Sequence, residues 1–226
     1  MAKKISIAID GPAGAGKSTI ARRLAKELGY MYVDTGAIYR TVAYFLDLLG
    51  ISPKDVDGVE RYLDELTVEI EYDETGKQHM IMNGMDVTAD IRTQEIGQKA
   101  SLVAAHAIVR DVLLDMQRDV AKKHNVIMDG RDIGTVVLPK ATVKIFLTAS
   151  AEVRAQRRLE EMQAKGQKGS FQQVLADIQK RDYQDSHRPI APLKQAKDAV
   201  LLDTSNLDID GVIAAMKKIV EEKIPL

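Results

Sequence analysis

A glycine-rich segment near the N-terminus has the residue types and spacing needed to hold a phosphate chain. Residues 11–18 read Gly-Pro-Ala-Gly-Ala-Gly-Lys-Ser between an apolar run and a helical pattern, the context that the Walker A motif requires. The glycines let backbone N–H groups turn toward a phosphate, and the following helix N-terminus adds partial positive charge. Lys17 can reach the β- and γ-phosphates, and Ser18 can hold Mg²⁺. The predicted nucleoside triphosphate site comprises Gly11, Pro12, Ala13, Gly14, Ala15, Gly16, Lys17, Ser18 and Thr19.

A second group of chemistry-bearing residues follows a later apolar run at residues 126–128. A carboxylate at the end of such a strand can order the Mg²⁺ shell, directly or through water, and Asp129 is the candidate. Arg131, two residues further on, would point into the same cleft. The alternative interpretation is a turn that ends a strand, with an arginine on the surface.

Residues 34–40 read Asp-Thr-Gly-Ala-Ile-Tyr-Arg after another apolar run. Gly36 would permit a tight turn, and Arg40 would then lie in the first turn of the next helix. A guanidinium there can clamp a second phosphate through two hydrogen bonds. A capped helix with a solvated arginine explains the same residues.

Arg181, Asp185 and Arg188 are spaced four and three residues apart, which places them on one helical face if the helix continues that far. Taken alone, this spacing is typical of an ion-pair ladder in water. Beside a phosphate-binding loop and two other arginine sites, we assign it to the active site.

The preceding helical pattern carries three more arginines, at positions 154, 157 and 158. We expect at least one of them to stabilise charge on a transferring phosphoryl group. The residues that we assign to catalysis are Lys17, Arg131, Arg157 and Arg181.

Five short apolar runs predict the buried parallel strands that must position these residues, at 5–9, 31–33, 126–128, 143–147 and 200–202. Such runs are continuously apolar because helices cover both faces of the sheet. Helical patterns separate most of them, at 17–28, 38–49, 108–123, 151–165, 171–183 and 209–220. This alternation predicts an α/β fold with a doubly wound parallel sheet.

One stretch departs from the alternation. Residues 67–72 alternate apolar and polar side chains, residues 78–82 follow a glycine turn, and Asn83-Gly84 is a strong hairpin signal before residues 85–88. Ser52-Pro53 predicts the start of a short helix that runs to Leu66. We therefore expect an insertion with a small antiparallel sheet at residues 52–105, a core formed by residues 1–51 and 106–226, and a lid at about 154–170.

Composition narrows the function classes. The 32 basic and 33 acidic side chains give a net charge of −1, and only 4% of residues are aromatic, which argues against a nucleic-acid-binding module. The chain has no cysteine, so disulfides and cysteine-ligated zinc are excluded. The N-terminal residues do not form a signal peptide pattern, and no apolar run approaches the ~20 residues of a membrane span. We expect a soluble, cytoplasmic monomer.

The motifs together resemble bacterial-type cytidylate kinases over nearly the whole chain. Besides the Walker A segment, the resemblance rests on Asp-Thr-Gly-Ala-Ile-Tyr-Arg at 34–40, Ile-Arg-Thr-Gln-Glu at 91–95, Asp-Gly-Arg-Asp-Ile-Gly-Thr-Val-Val at 129–137 and Arg-Asp-x-x-Asp-x-x-Arg at 181–188. It implies a P-loop nucleoside-monophosphate kinase fold with a monophosphate-binding domain and a mobile lid. It also implies the reaction ATP + CMP ⇌ ADP + CDP with Mg²⁺, and acceptance of dCMP.

The resemblance also implies residue roles. Thr35, Arg40 and Arg131 would meet the CMP phosphate, whereas Arg181 and Asp185 would hold the ribose, with Arg181 also near phosphate. The cytosine would be read by Ser101, Arg110 and Asp132, with Arg188 completing the pocket. The chemistry of the base agrees, because Asp132 can accept from the cytosine N4 amino group and Arg110 can donate to N3 and O2. Uracil has a carbonyl in place of the N4 amino group and an N–H in place of the N3 acceptor, so such a site can discriminate against UMP.

Two other functions remain open from the sequence. One is a kinase for another small acceptor, such as UMP or shikimate, although the Asp132 and Arg110 pair argues against UMP. The other is a regulatory GTPase switch, against which the chain lacks an Asn-Lys-x-Asp motif for reading guanine.

Overall fold

The computed structural model describes residues 4–224. Its strands are β1 (Ser6–Asp10), β2 (Met31–Asp34), β3 (Val68–Tyr72), β4 (Gln78–Met82), β5 (Met85–Asp86), β6 (Val126–Gly130), β7 (Val143–Thr148) and β8 (Val200–Asp203). Its α-helices are α1 (Lys17–Leu28), α2 (Thr35–Leu48), α3 (Val56–Leu63), α4 (Gln94–Val103), α5 (Ala107–Lys123), α6 (Ala151–Ala164), α7 (Phe171–His187) and α8 (Ile209–Lys223). A 3₁₀ turn spans Asp90–Arg92, and a π-helical turn spans Ile133–Val137.

The core is a five-stranded parallel sheet in the order β2-β6-β1-β7-β8. Strands β1 and β6 are buried along almost their whole length because helices lie on both faces of the sheet. The α/β fold with five parallel strands predicted from the apolar runs is confirmed. In such a sheet the carboxyl ends of all strands meet on one side, where ligands bind.

Two hydrophobic layers hold the helices against this sheet. Ile7 and Ile9 of β1 pack into the layer that includes α1 and α8, whereas Ala8 of the same strand packs into the layer that includes α2, α4 and α5. This alternation follows from the period of two along a strand. The helices that carry functional side chains are therefore anchored on a common frame.

The second sheet is antiparallel, in the order β3-β4-β5. Asn83 and Gly84 have φ of 49° and 79°, which is the left-handed turn that their sequence predicts. The side-chain amide of Gln78 in β4 makes two hydrogen bonds to the backbone of Asp34 in β2. Its oxygen accepts from Asp34 N at 2.7 Å, and its nitrogen donates to Asp34 O at 3.3 Å. The Tyr72 hydroxyl donates to the carbonyl of Tyr32 at 3.0 Å. These contacts fix the small sheet against β2.

Two predictions for this region differ from the structure, and one helix of the region was not predicted. The short helix expected from residue 53 to Leu66 spans Val56–Leu63, because Ser52 to Asp55 form a turn and Asp55 caps the helix by accepting from Gly58 N. The third strand is limited to Met85–Asp86. Helix α4 was not predicted at all, although Thr93 caps it and Ile96, Ala100 and Val103 have helical spacing.

The expected tight turn at Gly36 is also wrong. Asp34 is the N-cap, its Oδ1 accepts from Ala37 N at 2.9 Å, and α2 begins at Thr35. Gly36 is thus helical, and Arg40 lies in the second turn rather than the first. Helix α7 continues four residues beyond its predicted end at Tyr183, so Arg181 and Asp185 do share one helical face. Arg188, expected on the same face, is the C-cap with an extended backbone and lies outside the helix.

Among residues 4–224, none of the helices combines the length and the apolarity that crossing a bilayer requires.

Candidate active site

The loop of residues 11–16 connects β1 to α1 at the carboxyl end of the sheet. Gly11 has φ of 152°, and a Cβ built there would lie 1.9 Å from the carbonyl oxygen of Leu147 in β7. A side chain at this position is therefore excluded by the neighbouring strand. Gly16, with φ of 84°, is the N-cap of α1, so the helix N-terminus opens directly onto the loop, as anion binding requires.

Lys17 is buried, and its Nζ donates to the carbonyl oxygen of Pro12 at 2.7 Å. Burial, together with the positive charge of Arg131, lowers the pKa of Lys17 well below its ordinary value. The acceptor of its hydrogen bond is an uncharged carbonyl, so a phosphate oxygen would be a stronger partner for the ammonium.

Ser18 and Asp129 meet across the cleft, with the Ser18 hydroxyl donating to Asp129 Oδ2 at 2.8 Å. The Tyr32 hydroxyl donates to Asp129 Oδ1 at 2.8 Å. Burial and the nearby charge of Asp34 raise the pKa of Asp129 to about 6. A buried carboxylate beside a hydroxyl is a hard oxygen donor set, which suits Mg²⁺ when substrate phosphates provide further ligands. No cluster of three or more His, Cys, Asp or Glu side chains able to hold a metal occurs within residues 4–224.

A cluster of guanidinium groups faces Lys17. Arg131 Nε donates to Asp185 Oδ2 at 2.7 Å. Arg181 Nε is buried and has no hydrogen-bond partner among the described residues. Burial and the charge of Arg131 lower the pKa of Arg181 to about 10. Positive charges that repel one another in a buried cleft, one with an unused donor, fit an anionic ligand.

Arg40 approaches this cluster from α2. Its Nη1 donates to the carbonyls of Ile91 and Thr93, both at 3.2 Å. Burial lowers the pKa of Arg40, although the nearby Asp34 acts in the opposite direction. Gly97 of α4 gives the guanidinium its space, because a Cβ there would lie 2.8 Å from Nη1.

Thr35 lies beside the same cleft. Its hydroxyl donates to the carbonyl of Asp129 at 2.8 Å. This bond joins the first turn of α2 to the end of β6, and it commits the hydroxyl hydrogen to a backbone acceptor.

The buried carboxylate of Asp132 is shared by two arginines. Arg110 Nη2 from α5 donates to Oδ2, and Arg188 Nη2 from the end of α7 donates to Oδ1 at 3.0 Å. The Arg110 guanidinium also lies over the ring of Tyr39, 5.6 Å from its centre. Ser101 of α4 donates to Asp185 Oδ1 at 2.8 Å. The predicted residues for base and ribose thus fall into two hydrogen-bonded groups. One joins Asp132 to Arg110 and Arg188, and the other joins Asp185 to Ser101 and Arg131.

The three arginines of α6 have separate surroundings. Arg154 is buried and donates to the P-loop carbonyl of Ala13 at 2.9 Å and to Asp182 Oδ2 at 2.6 Å. Arg157 donates to Thr204 Oγ1 (3.1 Å) and Thr204 O (2.7 Å), and Arg158 pairs with Glu161. The structure therefore does not place Arg157 in the guanidinium cluster of Arg131 and Arg181.

Two contacts at the site were missed by sequence reasoning. Arg92 Nη1 pairs with Asp34 Oδ2 at 2.7 Å. Asp10, the last residue of β1, accepts from the backbone N–H groups of Ile133 and Gly134 at 2.7 Å each. The quoted motifs contain Arg92 and Asp34, but nothing in their local sequence indicates that they are paired.

Comparison with known proteins identifies the family of this chain. The chain matches the cytidylate kinase family model over residues 7–222. A protein of Exiguobacterium sp. named cytidylate kinase is 49% identical over 222 residues, covering 98% of this chain and 99% of the relative. One of the same name from Clostridium tetani is 44% identical and covers 98% and 96%. A solved structure of an uncharacterized protein from Eubacterium ventriosum aligns with a TM-score of 0.52 at 14% identity, covering 96% of this chain and 99% of that one, a likeness of fold alone.

Because a single family model spans residues 7–222 and the named relatives match over nearly their full length, the chain belongs to the cytidylate kinase family.

Proposed function

We propose that the protein transfers the γ-phosphate of ATP to CMP and dCMP, giving CDP or dCDP and ADP. The observation that carries the proposal is the convergence of Lys17, Arg131 and Arg181 in one buried cleft, with a free donor on Arg181. Such a cluster can bind two phosphorylated substrates and neutralise the charge that develops between them.

The donor is held by the loop of residues 11–16 and by Lys17. The N–H groups of the loop and of the first turn of α1 bind the phosphates, and Lys17 exchanges the Pro12 carbonyl for a phosphate oxygen. Ser18 and Asp129 would hold Mg²⁺, Asp129 either directly or through water. When bound, the ion supplies charge neutralisation on the β- and γ-phosphates.

The acceptor phosphate lies among Arg40, Arg131 and Arg181. Its oxygen attacks in line and without a covalent intermediate, because phosphoryl transfer needs mainly positioning and charge stabilisation. Thr35 remains within this phosphate region, with its hydroxyl bound to the Asp129 carbonyl.

Base selection rests on Asp132 and Arg110. Both are buried and already paired, so cytosine would be read by an exchange in which Asp132 accepts from N4 and Arg110 donates to N3 and O2. Arg188 holds the Asp132 carboxylate in place by donating to Oδ1. Asp185, held by Arg131 and Ser101, is placed to accept from the ribose. Sites of this kind reject the wrong hydrogen-bond pattern because their polar groups would be left unpaired.

Residues 52–105 are proposed as the monophosphate-binding unit, and residues 154–170 as the lid. Closure of both would exclude water, which otherwise competes with the acceptor. Arg157 would leave Thr204 to reach the transferring phosphoryl group when the lid closes. We place the reaction in the cytoplasm, where nucleotide pools are found, and assign it to a monomer.

An acceptor panel tests the proposal. The purified protein is mixed with Mg·ATP and, separately, with CMP, dCMP, UMP, AMP or shikimate, and ADP formation is measured. Fast turnover with CMP and dCMP but slow turnover with UMP supports the proposal. Fast turnover with a different acceptor keeps the kinase but contradicts the cytosine pocket. Nucleotide binding without acceptor-dependent turnover would instead favour a switch protein. Lys17→Ala is the control for contaminating kinases.

A further inference from the structure

Asp10 is a buried carboxylate that phosphoryl transfer itself does not use. It is the last residue of β1, directly before the P-loop, and only 4% of its surface is exposed. Each of its oxygens accepts one backbone hydrogen bond, Oδ1 from Ile133 and Oδ2 from Gly134, both at 2.7 Å. The two donors lie more than 120 residues away in the sequence.

The two N–H groups belong to the start of the π-helical turn Ile133–Val137. The first N–H groups of a helical turn have no partner within it, so Asp10 caps this turn from a different strand. The carbonyl of Asp132 accepts from Val136 and Val137 at 2.8 and 3.2 Å. The peptide group between Asp132 and Ile133 is therefore held both at its carbonyl oxygen and at its N–H.

We propose that Asp10 is a positioning residue for the acceptor nucleotide: its two-oxygen cap fixes the backbone that presents Arg131 and Asp132 to CMP. Asp10 touches neither substrate, and it acts through Ile133 and Gly134. Because Gly11 follows it directly, the same residue ties the start of the donor loop to the acceptor pocket. The inference rests on the proposed function.

The cap depends on the charge of the carboxylate. Burial raises the pKa of Asp10 to about 6 against the lowering effect of the Gly134 and Ile133 hydrogen bonds. Among the charged groups around it, Asp132 raises this pKa and Lys17 lowers it, while the Lys144 stem from β7 packs beside Gly134. A protonated carboxyl has one O–H donor, so it can no longer accept from both N–H groups. Asn likewise has one carbonyl acceptor and places a donor group at the other position, which makes Asp10→Asn an approximate mimic of the protonated state.

The experiment compares the KM for CMP and for ATP in the wild type and Asp10→Asn across the pH range. At about pH 8, where the native carboxylate is ionised, we expect the variant to raise the KM for CMP about tenfold, the effect of losing one buried hydrogen bond, with the KM for ATP within about twofold. At about pH 5 the two proteins should converge, because Asp10 is then protonated. The quantity compared is the KM for CMP in Asp10→Asn divided by that in the wild type. Titration of the CMP phosphate and of Asp129 occurs in both proteins and cancels in this ratio.

A ratio that does not change with pH, or an equal rise in both KM values, would overturn the proposal, since general damage to the fold predicts either result. If the wild type fails to phosphorylate CMP at all, the proposed function has failed rather than the role of Asp10.

A second measurement needs no variant and no turnover. In the wild type labelled with ¹³C at aspartate carboxyls, CMP alone should lower the pKa of Asp10 by about one unit, because reciprocal linkage requires that CMP favour the ionised form that binds it tenfold better. The negative charge of CMP acting directly would raise this pKa, so an unchanged or raised value contradicts the proposal.

Discussion

Arg131 and Asp185 form an ion pair with 2.7 Å between Nε and Oδ2, which links the end of β6 to α7 across 54 residues of sequence. Although burial acts to raise it, the charges of Arg131 and Arg181 hold the pKa of Asp185 below its ordinary value. The pair orients one edge of the guanidinium, and Nη1 also donates to the Gly130 carbonyl at 3.3 Å. Nη2 is left to bind a phosphate. The proposed acceptor site is thus arranged before any nucleotide enters.

Replacing Arg131 tests whether this arginine acts on the reacting phosphate. Arg131→Ala should lower kcat by about 10²–10³-fold, because a donor aimed at developing charge is lost, with little change in the KM for ATP. Arg131→Lys keeps the charge but not the planar fork, so we expect it to recover only part of the rate. Steady-state kinetics measures both, and an unchanged turnover number would contradict the role.

Ser18 is expected to set the requirement for Mg²⁺. Ser18→Ala removes the hydroxyl that donates to Asp129 and should raise the Mg²⁺ concentration for half-maximal rate about tenfold or more. Ser18→Thr keeps a hydroxyl and is the matched control. Equal Mg²⁺ dependence in the wild type and Ser18→Ala would show that the hydroxyl has no part in holding the ion.

The Asp132 carboxylate is expected to decide between cytosine and uracil. Asp132→Asn should lower kcat/KM for CMP by about 10²-fold, because Arg110 and Arg188 lose their charged partner. Turnover of UMP should fall less, since an amide can donate to a uracil carbonyl. Asp111→Asn, one residue beyond Arg110 on α5, controls for loss of a carboxylate. Equal losses for both acceptors would mean that Asp132 is only structural.

Gly97 is expected to matter through Arg40. The Cβ of Gly97→Ala would meet the Arg40 guanidinium at 2.8–2.9 Å and should raise the KM for CMP about tenfold by displacing it. The higher intrinsic helix propensity of Ala, worth up to about 1 kcal/mol, opposes the cost of moving the guanidinium, and thermal unfolding of the variant shows whether the fold is retained. A double-mutant cycle with Arg40→Ala measures the coupling energy between positions 97 and 40. Strictly additive effects on the KM for CMP would show that Gly97 does not act through Arg40.

The histidine of the small sheet should titrate above its ordinary range. Hydrogen bonds first to Asp86 and then to Asp73 raise the pKa of His79. Since the folded pKa exceeds the unfolded value, the charged ring stabilises the sheet below that unfolded value, and this contribution is lost as the pH rises through the folded pKa. NMR titration of the wild type and Asp86→Asn measures it. The same pKa in both would exclude Asp86 as the main cause.

The parts of the site that come from contiguous residues could be predicted. Residues 11–18 form the candidate phosphate-binding loop in one segment, and the strand before it and the helix after it follow from local patterns. Arg181 and Asp185 share a helical face because their spacing is four. Helix α4 is not predicted because Ile96, Ala100 and Val103 repeat at helical intervals over only ten residues, and Gly97 among them is a weak helix former.

Pairings between distant segments could not be predicted. The sequence contains several carboxylates and arginines near each motif. Only the packing of α4, α5 and α7 around β6 determines which of them pair, so that Asp132 binds Arg110 and Arg188, and Asp185 binds Arg131. The role of Arg157 remains a prediction, because its guanidinium binds Thr204 in this structure. Likewise, no local signal connects Asp10 to Gly134, 124 residues away.

The amide of Gln78 has a consequence for solubility. Strand β2 is an edge strand of the parallel sheet in the described part of the chain. An uncovered edge strand is a template for strand pairing between molecules. Gln78 occupies both backbone groups of Asp34 with a single side chain, and Tyr72 takes the Tyr32 carbonyl. We therefore expect the inserted sheet to limit edge-to-edge strand pairing between molecules as well as covering the core. A minimal kinase made by deleting residues 52–105 would expose this edge strand, and we expect self-association of such a protein.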